Sequence, residues 1–253
     1  MRKPTFLVDF IFSSICSASA KNIIVYIYTY MPVLLDLFCG TGSVSKVALA
    51  LGFDVVSLDL LNADINTDVM DWDYTISPPK HFDVIWSSPP CQYFSAARRS
   101  NIGRFGITKE SMETDILEKG VPVLRKTEQI IEYLQPALYF IENPQTGRMK
   151  DFVDRPYYDV DYCMYGFSCR KRTRVWTNLI GFDAKLCNKQ CGSFVDGCHA
   201  TKATGGSVKQ KGQGSGTSKD SRYRIPANLI HELLTTYDSY TSRKDTVLLK
   251  SAG

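Results

Sequence analysis

A predicted strand over residues 33–38 limits the fold of this chain most, because a glycine turn and a helix follow it directly. The strand is apolar apart from one aspartate, as expected for a strand buried in a parallel sheet. Strand and helix patterns then alternate: strands over residues 54–60, 82–87 and 137–141, and helices over residues 42–51, 123–134 and 225–234. This alternation predicts an α/β fold with a doubly wound, Rossmann-like, mostly parallel sheet and helices on both faces.

The turn Cys39-Gly40-Thr41-Gly42 can hold a nucleotide-like cofactor. Its glycines let the backbone approach a ligand closely, and the first N–H groups of the following helix point towards it. Asp59 ends the second predicted strand, where its carboxylate can accept hydrogen bonds from both ribose hydroxyls of a nucleoside. Asp68 is placed for a further contact near the base, although Asp64 or Asp71 can serve instead, and ordinary turn acids are the alternative.

A second marked segment is Pro89-Pro90-Cys91-Gln92, which comes shortly after the predicted strand over residues 82–87. Ligands of such a sheet gather at the carboxyl ends of its strands, so Cys91 is expected near the glycine turn. The chemical interpretation is a cysteine nucleophile beside a bound cofactor, and the alternative is a buried structural thiol.

Positive charge is concentrated in one part of the chain. Residues 168–224 contain 12 Lys and Arg against 3 Asp and Glu, a net charge of +9, so the remainder, with 18 against 23, carries −5. Local basic charge suits a phosphate-binding surface, and a solvated basic loop is the alternative. Residues 201–221 have almost no large apolar side chains and predict a mobile basic loop.

Four motifs stand in the order of a known enzyme family: Asp36-Leu37-Phe38-Cys39-Gly40, Pro89-Pro90-Cys91-Gln92, Glu142-Asn143, and Arg172 with Arg174. They resemble motifs I, IV, VI and VIII of the cytosine-C5 DNA methyltransferases, and small viral and phage members are the most similar. Amino-group methyltransferases of adenine N6 and cytosine N4 carry an aromatic residue where this chain has Cys91. The resemblance covers residues 31 to about 178 and implies a class I methyltransferase fold.

The resemblance also implies an S-adenosyl-L-methionine-dependent DNA (cytosine-5)-methyltransferase. Cys91 matches the thiolate that adds to C6 of cytosine, which allows C5 to take the methyl group. Glu142 matches the glutamate that hydrogen-bonds N3 and the exocyclic amine. Arg172 matches the arginine that positions the base, and Arg174 lies nearby for support or for a phosphate contact.

Further site residues are expected from these motifs, from the positions of Asp59 and Asp68 described above, and, for Asn228, from a faint resemblance of residues 224–228 to motif X of the family. The expected cofactor-binding residues are Asp36, Phe38, Cys39, Gly40, Thr41, Gly42, Ser43, Asp59, Leu60, Asp68, Pro89 and Asn228. The expected nucleic-acid-binding residues are Gln92, Ser95, Arg98, Arg99 and Arg104. The last three belong to residues 96–106, which match the family's loop that closes behind a base flipped out of the duplex, with an ordinary exposed loop as the alternative.

Four regions are expected along the chain. Residues 1–30 imitate a signal peptide, but Asp9 interrupts their apolar stretch, so they are interpreted as an extension upstream of an alternative start at Met31. Residues 31–178 form the S-adenosylmethionine-binding catalytic domain, residues 179–222 a small, irregular, basic target-recognition region, and residues 223–253 a C-terminal helix that returns to the catalytic domain.

The expected partner is double-stranded DNA, with no membrane and a monomeric chain. The expected setting is DNA methylation or restriction–modification inside a cell, in the cytoplasm or nucleoid, or in the host cell for a viral protein. The positions of the eight cysteines do not resemble a secreted disulfide framework, which favours a reducing compartment. Two alternatives remain open: an RNA (tRNA) cytosine-C5 methyltransferase, and a nucleic-acid-binding homologue without catalysis.

The recognition region contains Cys187, Cys191, Cys198 and His199. Three thiols and one imidazole can close a tetrahedral Zn²⁺ site and give rigidity to an insert that lacks a core. Adjacent ligands at Cys198 and His199 are geometrically awkward, and the spacing is not a familiar zinc-finger pattern. Zn²⁺ is therefore a possible structural ion in addition to the expected S-adenosylmethionine.

Overall fold

The computed structural model describes residues 30–202, 215–216 and 223–237. The described residues from Pro32 onward belong to one compact unit. Nearly all of the predicted extension and most of the predicted basic loop lie outside the described residues. The proposed boundaries between the four regions stay predictions.

A seven-stranded sheet forms the centre of the described part of the chain, in the order β3-β2-β1-β4-β5-β7-β6. Its strands are β1 (Val33–Leu37), β2 (Asp54–Asp59), β3 (Ile65–Asn66), β4 (Val84–Ser87), β5 (Leu138–Pro144), β6 (Tyr157–Asp161) and β7 (Arg172–Thr177). Neighbours from β3 to β5 pair in parallel, whereas β7 runs antiparallel to both β5 and β6. The prediction of a mostly parallel sheet is confirmed.

Helices cover both faces of this sheet. They are α1 (Ser43–Ala50), α2 (Lys109–Asp115), α3 (Val121–Leu134) and α4 (Ala227–Leu234), and a π-helical turn joins α2 to α3. Apolar residues of α3 pack on one face, and those of α1 and α4 pack together on the other. The strands alternate their side chains between the two faces, so each layer excludes water from one half of the core.

The closing helix was expected over residues 225–234, with Pro226 in its first turn. It begins at Ala227, and Pro226 is the N-cap residue instead. The helix packs against α1, since Leu229 and Ile230 are buried in the same cluster as Val44. None of the described helices has the length and apolar character required to cross a membrane.

The strand directions bring the site together. The carboxyl ends of β1, β2, β4 and β5 meet at one edge of the sheet, because these strands are parallel. The antiparallel strand β7 begins near that edge, where Thr173 pairs with Pro144 at the end of β5. Four two-residue strands lie outside the sheet: β8 (Phe194–Val195), β9 (Cys198–His199), β10 (Thr201–Lys202) and β11 (Ser215–Gly216).

Candidate active site

A cleft of about 1930 Å³ opens at the carboxyl edge of the sheet. The sequence-predicted residues that line it are Asp36, Phe38, Cys39, Gly40, Thr41, Ser43, Asp59, Pro89, Cys91, Gln92, Ser95, Arg98, Glu142 and Arg172. The two halves of the predicted site therefore share one cleft. Those that do not line it are Gly42, Leu60, Asp68, Arg99, Arg104, Arg174 and Asn228.

The glycine turn lies at one end of the cleft. Gly40 and Gly42 have φ values of 49° and 66°, in the left-handed region that favours glycine. The backbone N–H of Gly40 donates to one carboxylate oxygen of Asp59 at 2.9 Å, and that of Leu60 donates to the other at 2.7 Å. These bonds orient the carboxylate, and each oxygen retains a lone pair for a ligand hydroxyl.

Asp36 is a buried carboxyl beneath this turn, with 1% of its surface exposed. It accepts hydrogen bonds from the backbone N–H and the hydroxyl of Ser45 in α1, at 3.2 and 2.6 Å. Burial raises the pKa of Asp36 to about 7, and these hydrogen bonds oppose the shift. Asp36 therefore connects β1 to α1, and it offers very little surface to a ligand.

Asp36→Asn is expected to change how stability depends on pH. Between pH 4 and 7 the unfolded chain ionises this carboxyl while the folded chain keeps it protonated, so rising pH favours unfolding of the wild type. From a pKa of about 7 in the folded chain against the ordinary value of 3.8, the wild type should lose about 4 kcal/mol of unfolding free energy relative to the variant. Urea unfolding at a series of pH values measures the difference, and a constant offset would contradict the assignment.

The loop that carries Cys91 is attached to the end of β5. Asn143 is 1% exposed, and its side-chain N–H donates to the backbone carbonyl of Pro89 at 2.8 Å. Glu142, the preceding residue of β5, lines the cleft. The end of β5 therefore both holds the loop, through Asn143, and contributes Glu142 to the cleft lining.

Phe94 anchors the same loop on its other side. Its ring is buried against Gly120, where an added Cβ would lie 2.9 Å from the ring. Its carbonyl accepts the backbone N–H of Arg148 at 2.8 Å, and its own N–H donates to the carbonyl of Cys91 at 3.1 Å. Close approach of the ring to the π-helical turn thus requires a glycine at position 120.

Glu142 lies deep in the cleft, with 6% of its surface exposed. The hydroxyl of the fully buried Tyr162 donates to its Oε1 at 2.8 Å, and the ammonium of Lys171 lies 3.8 Å from the same oxygen. Lys171 also lies over the ring of Tyr162, with 4.8 Å between the ammonium and the ring centroid. These two neighbours hold the carboxylate in place.

The pKa of the Cys91 thiol is raised above its ordinary value, first by burial and next by the negative charge of Glu142. The positive charge of Lys171 opposes this shift. The raised pKa disfavours the thiolate of Cys91, and the charge of Glu142 adds to the effect of burial.

Arg172 is held at the cleft by the carboxylate of Asp161, which is fully buried. Its Nε and one Nη donate to the two oxygens of Asp161 at 3.1 and 2.9 Å. Arg174 makes the equivalent pair with Asp159, at 2.8 and 2.9 Å, and its guanidinium lies 3.5 Å from the ring centroid of Tyr157. Arg174 therefore contacts two side chains of the neighbouring strand β6 and does not line the cleft.

Other predicted residues also have local contacts. Asp68 accepts the backbone N–H of Met70 at 2.9 Å, as a turn acid does. Arg98 pairs with Asp115 at the end of α2 at 2.5 Å, which ties the loop after Ser95 to that helix. That loop begins as a 3₁₀ helix over Ala96–Asn101. Leu60 has 62% of its surface exposed.

The predicted metal ligands need one correction. Cys187, Cys191 and His199 do come together, but the fourth residue of the cluster is Cys163 and not Cys198. Cys198 and His199 are consecutive in strand β9, so their side chains point to opposite faces, and only one of them can reach the cluster.

For several residues that support the site, the sequence contains no pattern that indicates their role. Tyr162, Asp161 and Cys163 are consecutive, and each contacts a predicted site residue through a fold that distant segments create. The motif Glu142-Asn143 includes Asn143, although nothing in the sequence indicates its hydrogen bond to Pro89. Lys171 directly precedes Arg172 and contributes through its charge.

No family model matches the sequence. The chain is 45% identical over 216 residues to the "Probable DNA (cytosine-5)-methyltransferase" of Frog virus 3 (isolate Goorha), across 79% of this chain and 98% of that protein. Among solved structures, similarity extends to the methyltransferase EhMeth of Entamoeba histolytica, with 16% identity, 63% of this chain and 56% of that chain covered, and a TM-score of 0.43. It also extends to an S-adenosylmethionine-dependent methyltransferase from Archaeoglobus fulgidus, with 13% identity, 45% of each chain covered and a TM-score of 0.30.

The chain spans about half the length of these two solved chains. The viral relative is matched over almost its whole length. The small viral character expected from those motifs agrees with this match. At 45% identity over 98% of that relative, the chain belongs to the DNA (cytosine-5)-methyltransferases, a family of enzymes.

Proposed function

We propose that this protein methylates C5 of cytosine in duplex DNA with S-adenosylmethionine as the methyl donor. The observation that carries the proposal is the meeting of Cys91, Glu142 and Arg172 in one cleft that also contains the glycine turn and Asp59. The viral relative, whose name states the same activity, supports it.

The cofactor end of the cleft fits an adenosine group with a charged amino acid attached. Asp59 offers oriented carboxylate oxygens to the ribose hydroxyls, and Gly40 exposes backbone without a side chain. Phe38 and Pro89 add apolar surface to the lining. S-adenosylmethionine, when bound, supplies an electrophilic methyl group.

Cytosine C5 is a poor nucleophile, and addition of a thiolate to C6 makes it reactive. The residues around Cys91 suit this addition. The thiolate of Cys91 forms a bond to C6, and the electron pair of the C5–C6 double bond becomes available at C5. Glu142 stabilises the charge that develops on the ring through N3 and the exocyclic amine. Once C5 is methylated, a base such as a solvent water takes the C5 proton, the electron pair of that bond re-forms the C5–C6 double bond, and the Cys91 thiolate leaves C6.

The thiol must lose its proton for this addition, although its pKa in the protein is raised. The proton that the thiol loses can be taken up between Glu142 and N3 of the bound cytosine, which reduces the negative charge facing Cys91 and favours the thiolate when substrate is present. The free protein then keeps a less reactive thiol, and the bound base activates it.

The target base has to leave the helix stack to reach Cys91, because C5 and C6 are inaccessible in duplex DNA. Arg172 is held by Asp161 at the cleft and can position the flipped base. Gln92, Ser95 and Arg98 line the entrance from the loop side and can contact the strand. We propose a monomer acting on double-stranded DNA.

A duplex that contains 5-fluorocytosine tests the proposal. Fluorine cannot leave C5 as a proton does, so the methylated adduct should stay covalently attached to Cys91 in the presence of S-adenosylmethionine. We expect a denaturant-stable protein–DNA band that survives in Cys198→Ser and disappears in Cys91→Ala. Mass spectrometry of the adduct peptide identifies the attached residue.

The same assay distinguishes the alternatives. A broad pool of duplex sequences covers an unknown recognition site, and tRNA is supplied in a parallel reaction with labelled methyl donor. Label in tRNA without any DNA adduct would overturn the DNA assignment in favour of RNA. Retention of DNA binding without an adduct or label in either substrate would identify a homologue without catalysis.

A further inference from the structure

A cluster of four ligand residues lies outside the cleft: Cys163, Cys187, Cys191 and His199. Their sulfur and nitrogen atoms all lie within 4.8 Å of one another. Cys163 comes from the 3₁₀ turn Tyr162–Tyr165 after β6, whereas the other three come from the segment that follows β7. The cluster therefore joins two segments that are far apart in the sequence.

The separations match those of a tetrahedral metal site. The sulfur atoms of Cys187 and Cys191 are 3.6 Å apart, and they lie 3.5 and 3.4 Å from Nε2 of His199. Ligands on a tetrahedral Zn²⁺, with bonds of about 2.3 Å to sulfur and about 2.0 Å to nitrogen, lie roughly 3.8 and 3.5 Å apart. Small movements would place all four on one ion.

Two of the sulfur atoms have hydrogen-bonding groups close to them. The backbone N–H of Lys189 donates to the sulfur of Cys187 at 3.3 Å, and the hydroxyl of Ser193 lies 3.3 Å from the sulfur of Cys191. Hydrogen bonds of this kind orient metal ligands and reduce their charge. The ring of Phe194 packs edge-on against His199, with centroids 5.1 Å apart, which fixes the imidazole.

The segment has little else to hold its fold. Its regular structure in the described residues is limited to the hairpin β8–β9 and the strand β10, which pairs with β11, with two residues in each strand. The buried part of its local apolar cluster consists of Cys163, Cys187 and Cys191, joined by the half-buried Met164 and Phe194. A small insert without an apolar core commonly depends on a metal ion for its rigidity.

We propose that this protein binds one structural Zn²⁺ through Cys163, Cys187, Cys191 and His199. Three sulfur ligands and one imidazole in tetrahedral reach are typical of zinc, and four protein ligands leave no open position for substrate or water. The ion fastens the segment after β7 to the turn that follows β6. Cys198 takes no part.

The site also supports the neighbours of the cleft. The backbone N–H of Cys187 donates to Asp161 at 2.8 Å, and this carboxylate holds Arg172. Cys163 directly follows Tyr162, whose hydroxyl holds Glu142. One proposed ligand, Cys187, is therefore a single hydrogen bond away from Asp161, and another, Cys163, is the chain neighbour of Tyr162. Asp161 and Tyr162 are the residues that hold Arg172 and Glu142.

Metal content of the full-length protein tests the proposal. The protein is purified under reducing conditions from zinc-supplemented cells, and elemental analysis should find about one zinc per chain. Replacement by Co²⁺ should produce thiolate-to-cobalt charge transfer and the strong visible bands of a tetrahedral site. Less than one tenth of a metal ion per chain, or a Cys187–Cys191 disulfide in the reduced preparation, would overturn the proposal.

Variants test the ligand set. Cys163→Ser should weaken Co²⁺ binding by about 100-fold or more, whereas Cys198→Ser, beside His199 in the same strand, should bind normally. If Cys163→Ser does not fold, His199→Cys provides the second measurement, since a four-sulfur set should keep the metal with a red-shifted charge-transfer band. Loss of the metal in Cys198→Ser but not in Cys163→Ser would contradict this assignment.

Discussion

Cys91→Ala is expected to reduce methyl transfer to DNA by about four orders of magnitude or more, because no other nucleophile can replace the thiolate at C6. Binding of S-adenosylmethionine should change little, since the turn and Asp59 lie on other strands. Single-turnover transfer of a labelled methyl group measures the first quantity, and calorimetry with the cofactor measures the second.

Cys198→Ser is the matched control for this experiment, because it removes another partly exposed thiol that lies outside the cleft lining. It should transfer methyl groups at close to the wild-type rate. If Cys91→Ala retained a tenth of the wild-type rate, covalent addition by this cysteine would be wrong. A parallel loss of cofactor binding would indicate a structural role of the thiol instead.

Glu142→Gln is expected to have opposite effects on the methyl transfer rate and on the reactivity of Cys91. Methyl transfer should fall by about a thousandfold, because an amide cannot share a proton with N3 of the base. The charge of Glu142 raises the pKa of the Cys91 thiol, so its removal should lower that pKa and increase the thiolate fraction near pH 8. Alkylation by iodoacetamide should then be faster than in the wild type.

Glu118→Gln serves as the control, because this carboxylate is exposed on the π-helical turn and lies outside the cleft lining. It should leave both rates unchanged. A variant that merely disturbs the fold would lose methyl transfer and react faster at every cysteine. The rate at Cys91 is therefore determined by peptide mass spectrometry, and slower alkylation of Cys91 in Glu142→Gln would contradict the electrostatic coupling.

The parallel part of the fold could be predicted because its information is local. The buried strands are apolar runs, the predicted helix over residues 42–51 is observed as Ser43–Ala50, and that over residues 123–134 as Val121–Leu134. The predicted strand over residues 137–141 is longer in the structure, Leu138–Pro144, and it includes Glu142 and Asn143. Pairing with β7 extends it, and that pairing depends on a segment about thirty residues away.

The supporting residues of the site could not be predicted for the same reason. Tyr162 resembles any buried aromatic residue in the sequence, and only the position of β6 at the edge beyond β7 brings its hydroxyl to Glu142. Cys163 is separated by the whole of β7 from the other metal ligands. Cys198 was the obvious choice by proximity, but alternation along a strand excludes it once His199 points inward.

The burial of Phe94 between Gly120 and the backbone of Arg148 separates two demands on the chain that carries Cys91. In the proposed mechanism, residues before Phe94 keep the thiol at a constant depth, whereas residues after it accommodate a DNA duplex that enters and leaves. Phe94 is held in place between these two parts of the loop. The residues after it can therefore change in length and sequence to suit new DNA targets without moving the Cys91 thiol. Diversification of target choice should therefore concentrate after this residue, and the catalytic step should be inherited unchanged.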